Sequence, residues 1–318
     1  MATVAAGESR AGWPLTSLRL AVSEWIRRGE ALGLLLAAAT SLTAAMPTAV
    51  RYGLADIGGE GAYWLLRPRS RLAEENYRIF ASGPAQTRRL TRRAFRNYAR
   101  TVMDFLVLES LVRFTGEAKE MVESGPLRRV LGDHRTAIVV TPHFGNWDLG
   151  AAMTATAGRP VFAVAARFGP PAVDRRVRAI RERVGVSVIP GGLTSGREAL
   201  RVLRRWDVLC LAADIDHTRS GVAVTFFGRR VTFPPGPATL ALHTESPIIP
   251  GFVRRWPRGR HEARLLDPLP WPPPGSSGER VQALTQQIAS AFERIIEKDP
   301  SQWFAFHRLP LPVPGKGR

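Results

Sequence analysis

Between residues 126 and 267 short apolar runs alternate with helix-like stretches, and this alternation constrains the fold more than any other feature of the chain. The runs are TAIVV, VFAVAA, VSVIP, VLCLAAD, VAVTFFG and PIIPGFV, and the stretches between them include VDRRVRAIRERVG, SGREALRVLRRW and PATLALHTE. Strands buried on both faces appear as continuous apolar runs, and intervening helices supply the crossovers that such strands need. The pattern predicts an α/β fold, a mixed central sheet covered by helices on both faces. Functional residues are then expected where strands end and helices begin.

The flanks differ from this core. Residues 1 to 125 are expected to form a mostly helical, membrane-associating region, and residues 126 to 318 the α/β core with a C-terminal helix. Within the first region, residues 84 to 114 place Leu90, Ala94, Tyr98, Val102, Phe105 and Leu106 at helical spacing, with Arg88, Arg89, Arg92, Arg93, Arg96 and Arg100 on other faces. Such a face is either simply solvated or a basic surface for anionic lipid, an acidic carrier protein or coenzyme A. In the second region, proline-rich PLPWPPPGSSG leads into the amphipathic stretch ERVQALTQQIASAFERIIEK and then SQWFAFHRLPLP.

A net charge of +18 suggests nucleic acid or an anionic membrane as partner. All but Lys119, Lys298 and Lys316 of the 45 basic residues are arginine, a bias that weakens the inference from charge alone. No recognised nucleic-acid-binding module with interleaved exposed aromatics is present, so no nucleic-acid partner is expected. Residues 31 to 50, ALGLLLAAATSLTAAMPTAV, lack any charge for 20 residues, long enough to span a bilayer, yet hold only five leucines and contain Pro47. An interfacial helix, a buried core helix, a signal and a true span all remain open, although Glu8, Glu24 and Glu30 spoil a positively charged leader. Cys210, the sole cysteine, sits in an apolar run and implies a buried thiol, with neither a disulfide framework nor a cysteine-rich zinc site.

The chemistry concentrates in TPHFGNWD, residues 141 to 148. Pro142 ends the strand AIVV, Gly145 permits a tight turn, and Asn146 is a helix N-cap candidate. Asp148 then falls in the first turn of a helix expected to stop at Gly158, where a carboxylate is favoured by about 0.3–1 kcal/mol. A histidine and an aspartate five positions apart cannot be neighbours on one helix. With His143 on the loop ahead, the imidazole can fold back over the helix start to Asp148, giving a base with an orienting acid. A surface-loop histidine beside an N-terminal helix acid fits the same spacing.

HFGNWD resembles the H-x4-D signature of the glycerolipid and lysophospholipid acyltransferases. Its Gly-Asn-Trp centre is similar to the bacterial branch containing lipid A secondary acyltransferases and phosphatidylinositol mannoside acyltransferases. The likeness continues through VAARF with Arg167, IRERVGVSVIP with Arg181, AADIDHTRSGVAVTFFG with Asp214, PPGPATLALHTESPIIP and, more loosely, SQWFAFHR. The chain departs from the branch at Ala166, where an acid is frequent, at Asp214, where the mannoside enzymes have glutamate, and at Ile215, where arginine is common.

This resemblance implies transfer of a fatty acyl chain from acyl-CoA or acyl carrier protein to a hydroxyl of a membrane lipid. The acceptor is expected to be a phosphatidylinositol mannoside, with lipid A as the alternative. The expected location is the cytoplasmic face of the cell membrane, peripheral or monotopic, against an anionic surface. No metal and no cofactor beyond the thioester co-substrate are expected. The thioester carbonyl needs donors for its developing charge, and the acceptor hydroxyl needs a base. His143 is the expected base, Asp148 its orienting acid, and the amides of Gly145 and Asn146 the oxyanion donors. Asp214 is expected to contact His143 or the acceptor, the alternative being a helix-capping or turn acid. Arg167 and Arg181 are expected to face phosphate, and Asp216 the substrate. Asp216 and His217 also fit simple turn positions. GLTSG lacks the spacing of a nucleophile elbow, so no acyl-enzyme is expected.

Overall fold

The computed structural model describes residues 29–114, 125–134, 136–216 and 221–309. Six strands form the central sheet: β1 (Ala137–Thr141), β2 (Val161–Ala165), β3 (Val186–Pro190), β4 (Val208–Ala212), β7 (Ile248–Arg255) and β8 (His261–Leu265). Their order is β3-β2-β4-β1-β7-β8. All neighbours run parallel except β7 and β8, which pair as an antiparallel edge and make the sheet mixed. The expected α/β class is therefore observed. VAVTFFG does not join this sheet, because β5 (Val222–Phe226) folds back on β6 (Arg229–Phe233) as a separate hairpin. β8 has no apolar run to announce it, since HEARL is an edge strand carrying polar residues.

Alternation along β1 explains its continuous apolar character. Ile138 and Val140 enter one core with Tyr63, Tyr77, Phe95, Phe292 and Trp303, whereas Ala137 and Val139 enter the other with Leu108, Leu127, Leu149 and Met153. Successive side chains on a strand point to opposite faces, so a strand covered twice needs apolar residues at every position.

The helices before the sheet are α1 (Glu30–Ala45), α2 (Thr48–Leu65), α3 (Arg67–Tyr77), α4 (Pro84–Leu106), α5 (Leu108–Phe114) and α6 (Pro126–His134). Residues 31 to 50 are not one helix: Met46 is extended, and Pro47 starts α2 instead of continuing α1. Among the described residues no helix is long and apolar enough to cross a membrane. α1 packs through Gly33 onto Ala172 and leaves Leu32, Leu34, Leu35 and Leu42 exposed.

α4 buries part of its apolar stripe, with Ala94 in the core and Leu90 and Phe105 packed against the two clusters, but it buries polar residues as well. It buries Thr87, Thr91, Asn97, Thr101 and Asp104, while Tyr98 and Val102 of the apolar stripe lie exposed. The polar side is buried because its groups have partners there, the condition under which burial of polar atoms is tolerated. The arginine face is not freely solvated either. Arg92 reaches Glu60 at 2.7 Å and Arg100 reaches Asp56 at 2.6 Å, which ties α4 to α2.

The other helices are α7 (Trp147–Ala155), α8 (Pro171–Arg183), α9 (Ser195–Arg204), α10 (Gly236–Thr244) and α11 (Ser277–Ile296). α7 is short of the expected stop, its C-cap being Thr156. α11 opens with a reciprocal capping box between Ser276 and Glu279, which fixes where the last helix begins.

Candidate active site

His143 follows β1 and Asp214 follows β4, and the pairing of these strands brings the two residues together. In the parallel register Thr141 lies opposite Ala212, so positions two residues further on are also level. Ala213 N donates to Thr141 O at 3.0 Å, extending the ladder to the point where both side chains emerge. Asp214 Oδ1 then accepts from His143 N at 3.0 Å and lies 2.6 Å from His143 Nδ1. The bond assigns the Nδ1–H tautomer and leaves Nε2 with its lone pair.

Burial works against charge on the His143 ring, but the charge and hydrogen bond of Asp214, with a further contribution from Asp148, raise its pKa above the ordinary value. Burial likewise disfavours charge on Asp214, yet His143 and the indole of Trp303 hold its pKa below the ordinary carboxylate value. Both partners therefore favour the same state, an ionised Asp214 beside an imidazole with enhanced basicity.

Asp148 does not orient His143 by contact. Its Oδ1 accepts from Arg181 Nε at 2.7 Å, and the Arg181 guanidinium also stacks over Phe105, 5.3 Å from the ring centre. The space over His143 is taken by Trp147, whose ring meets the imidazole edge-on at 5.3 Å. Asp148 thus reaches His143 through its field alone. Arg181, expected to face phosphate, is instead held by this acid.

The amides expected at the oxyanion site are also engaged. Gly145 N donates to Gln302 O at 2.8 Å, and Asn146 N donates to Val253 O at 2.9 Å. Asn146 does cap α7, its side chain accepting from Leu149 N at 3.0 Å. Gly145 adopts φ 58°, and a Cβ there would lie 1.9 Å from Val253 O, so only glycine fits this close backbone approach. Asp216 Oδ2 accepts from Gly221 N at 2.8 Å and braces the start of β5. Arg167 is exposed on the loop after β2. His217 and residues 218–220 of the Thr-Arg-Ser-Gly turn lie outside the described residues.

Several residues that the sequence did not single out complete the site. Trp303 donates its indole N–H to Asp214 Oδ2 at 2.9 Å, and Phe304 N donates to His143 O at 2.8 Å. The segment 302–304 therefore holds the histidine, the acid and the glycine turn at once. A second brace comes from α4, where Thr101 donates to Gly145 O at 2.9 Å and accepts from Arg255 Nη2 at 2.7 Å. Arg255 in turn pairs with fully buried Asp104 at 2.8 Å, and Tyr52 donates to the same carboxylate at 2.9 Å. The polar spacing of Thr101 and Asp104 on α4 was the available signal; its partners on β7 were not visible from it. Among the described residues no three His, Cys, Asp or Glu side chains cluster as metal ligands.

The sequence profile of the bacterial lipid A biosynthesis acyltransferases matches residues 27–310. The chain belongs to this family, and it is an acyltransferase. It is 32% identical over 284 residues to a phosphatidylinositol mannoside acyltransferase of Mycolicibacterium smegmatis, covering 86% of this chain and 90% of that protein. It is also 34% identical over 170 residues to a phosphatidylinositol mannoside acyltransferase of Mycobacterium tuberculosis, covering 52% of each chain. The family works with a lipid acceptor and an acyl donor.

Proposed function

We propose that this enzyme transfers a fatty acyl chain from an acyl thioester, of coenzyme A or acyl carrier protein, to a hydroxyl of a phosphatidylinositol mannoside. The observation that carries this reading is the His143–Asp214 pair at the exit of two adjacent strands, in a chain with this likeness to enzymes named for that acceptor. His143 Nε2 takes the proton of the acceptor hydroxyl as its oxygen attacks the thioester carbonyl. Asp214 stays ionised and stabilises the imidazolium. Collapse of the tetrahedral intermediate breaks the carbon–sulfur bond, and the imidazolium returns the proton to the departing thiolate. The products are an ester and a free thiol, with no acyl-enzyme and no metal or cofactor required. Arg167, exposed at the same end of the sheet, is assigned to a phosphate of the headgroup or donor, as guanidinium forks suit such oxygens.

The reaction takes place at a membrane surface, on the cytoplasmic face where acyl thioesters are found. α1 supports this placement, since its exposed leucines form an apolar side that no other described element covers, and at 16 residues it is suited to lie on a bilayer. The test is purified protein incubated with palmitoyl-CoA or palmitoyl carrier protein and a phosphatidylinositol mannoside, with products read by mass spectrometry. His143→Ala is expected to lower turnover by at least about 10²-fold with its circular dichroism unchanged. Turnover close to wild type in that variant would sink the mechanism. Acylation of a lipid A precursor and not of the mannoside would replace the acceptor.

A further inference from the structure

The loops that follow β2 and β3 carry large apolar side chains with no role in the core. Phe168 is 60% exposed and Leu193 fully exposed, far more than an apolar residue needs to be on an otherwise well-packed sheet edge. The two loops are tied to each other: Gly191 N donates to Ala165 O at 2.8 Å, and a Cβ on Gly191 would lie 3.4 Å from Ala166 Cα. Phe168 is itself fixed, since its amide donates to Asp174 Oδ1 at 2.9 Å, so the ring is presented from an anchored backbone.

Two relationships give these tips a common direction. β1, β2, β3 and β4 are parallel, so the loops carrying His143, Phe168, Leu193 and Asp214 all leave the same edge of the sheet. The Phe168 loop also abuts the start of α1, where a Cβ on Gly29 would lie 2.4 Å from Pro170 Cβ, and Glu30 pairs with Arg175 at 2.8 Å. Exposed Leu32 follows within one turn of α1, so the apolar side of that helix begins beside the Phe168 loop. Arg167 and Arg197, both exposed, flank the tips with positive charge. Apolar tips bordered by arginines complement an anionic bilayer, with rings and leucine among the acyl chains and guanidinium groups at the phosphates.

We propose that Phe168 and Leu193 insert into the bilayer as a second attachment beside α1, which turns the sheet edge bearing His143 and Asp214 toward the lipid headgroups. An acceptor lipid then reaches the dyad by lateral movement, without leaving the membrane. This inference rests on the membrane placement under Proposed function, and the experiment separates the two.

Full-length protein carrying Phe168→Cys, Leu193→Cys, Leu35→Cys or, at the opposite edge of the sheet, Arg205→Cys is labelled with bimane, buried Cys210 serving as the unlabelled background. Each is mixed with vesicles of phosphatidylcholine and phosphatidylinositol whose acyl chains are brominated. Quenching is expected at 168, 193 and 35 and not at 205. Phe168→Ser/Leu193→Ser is expected to weaken flotation with unbrominated vesicles by roughly tenfold or more, the effect of removing two buried apolar side chains. If wild type floats and position 35 is quenched while 168 and 193 are not, the loop attachment is overturned and the membrane placement stands. The same holds if the double variant floats like wild type. Failure of the wild-type protein to float overturns the placement and the inference with it.

Discussion

Trp303 and Asp214 are 89 residues apart in sequence and joined by a buried indole N–H···O bond of 2.9 Å, on the carboxylate that also holds His143 Nδ1. The indole thereby fills the acceptor oxygen that the histidine does not use and fixes the plane of the carboxylate. Trp303→Phe keeps the aromatic packing with Tyr77 and Phe226 but leaves Asp214 Oδ2 without this donor. It is expected to lower kcat about tenfold, as one lost charge-assisted bond implies, with KM little changed. In an Asp214→Asn background the same change should have a much smaller effect. Fully additive losses in this double-mutant cycle would show that the indole acts on packing alone.

The pH dependence of the reaction follows from Asp214. A base must be neutral to accept a proton, so activity falls as pH drops through the pKa of His143, which lies above its ordinary value. Asp214→Asn removes the main influence that raises that pKa and leaves burial, which lowers it. The acid limb of kcat/KM should therefore move to lower pH, while the plateau falls about tenfold or more because the imidazolium has lost its counter-charge. Asp214→Glu retains the charge and should hold the limb near its wild-type position. Profiles of the three proteins decide the matter, and an Asn variant that outperforms Glu would remove Asp214 from the catalytic set.

Asp148 provides a graded comparison. It raises the pKa of His143 without touching it, while its charge is partly offset by Arg181 at 2.7 Å. Asp148→Asn should shift the acid limb in the same direction as Asp214→Asn but by less, because its influence acts across space and no hydrogen bond is lost. Arg181→Met should shift it the opposite way, toward higher pH, since the acid is then uncompensated. Equal shifts for the two aspartate variants would show that both share the orienting role.

Thr101 tests the brace from α4. Its hydroxyl links Arg255 to the carbonyl of Gly145, at 2.7 Å and 2.9 Å. Thr101→Val keeps the shape and removes both bonds, leaving buried polar atoms unpaired at about 1–3 kcal/mol. Lower kcat and a reduced melting temperature are expected, with Thr101→Ser restoring both. A Val variant that matches wild type in thermal denaturation and turnover would show that the turn holds without α4.

Local chemistry determined a good deal of this protein. The β-branched run AIVV, the break at Pro142 and the capping side chain of Asn146 place His143 at the end of a buried strand, because each acts over a few residues. The same locality explains the α/β class, since strand and helix periods are written into adjacent positions. The partner of His143 was beyond that reach. Spacing in the chain favoured Asp148, but the register of β1 against β4 puts Asp214 level with the imidazole, and Arg181 from α8 takes Asp148. Likewise the helical spacing of the apolar residues of α4 carries no sign that Thr101 and Asp104 are the groups with partners on β7 and the Gly145 turn. Which polar atom is satisfied, and by what, depends on segments remote in sequence meeting at hydrogen-bond distance, and only tertiary structure brings them there.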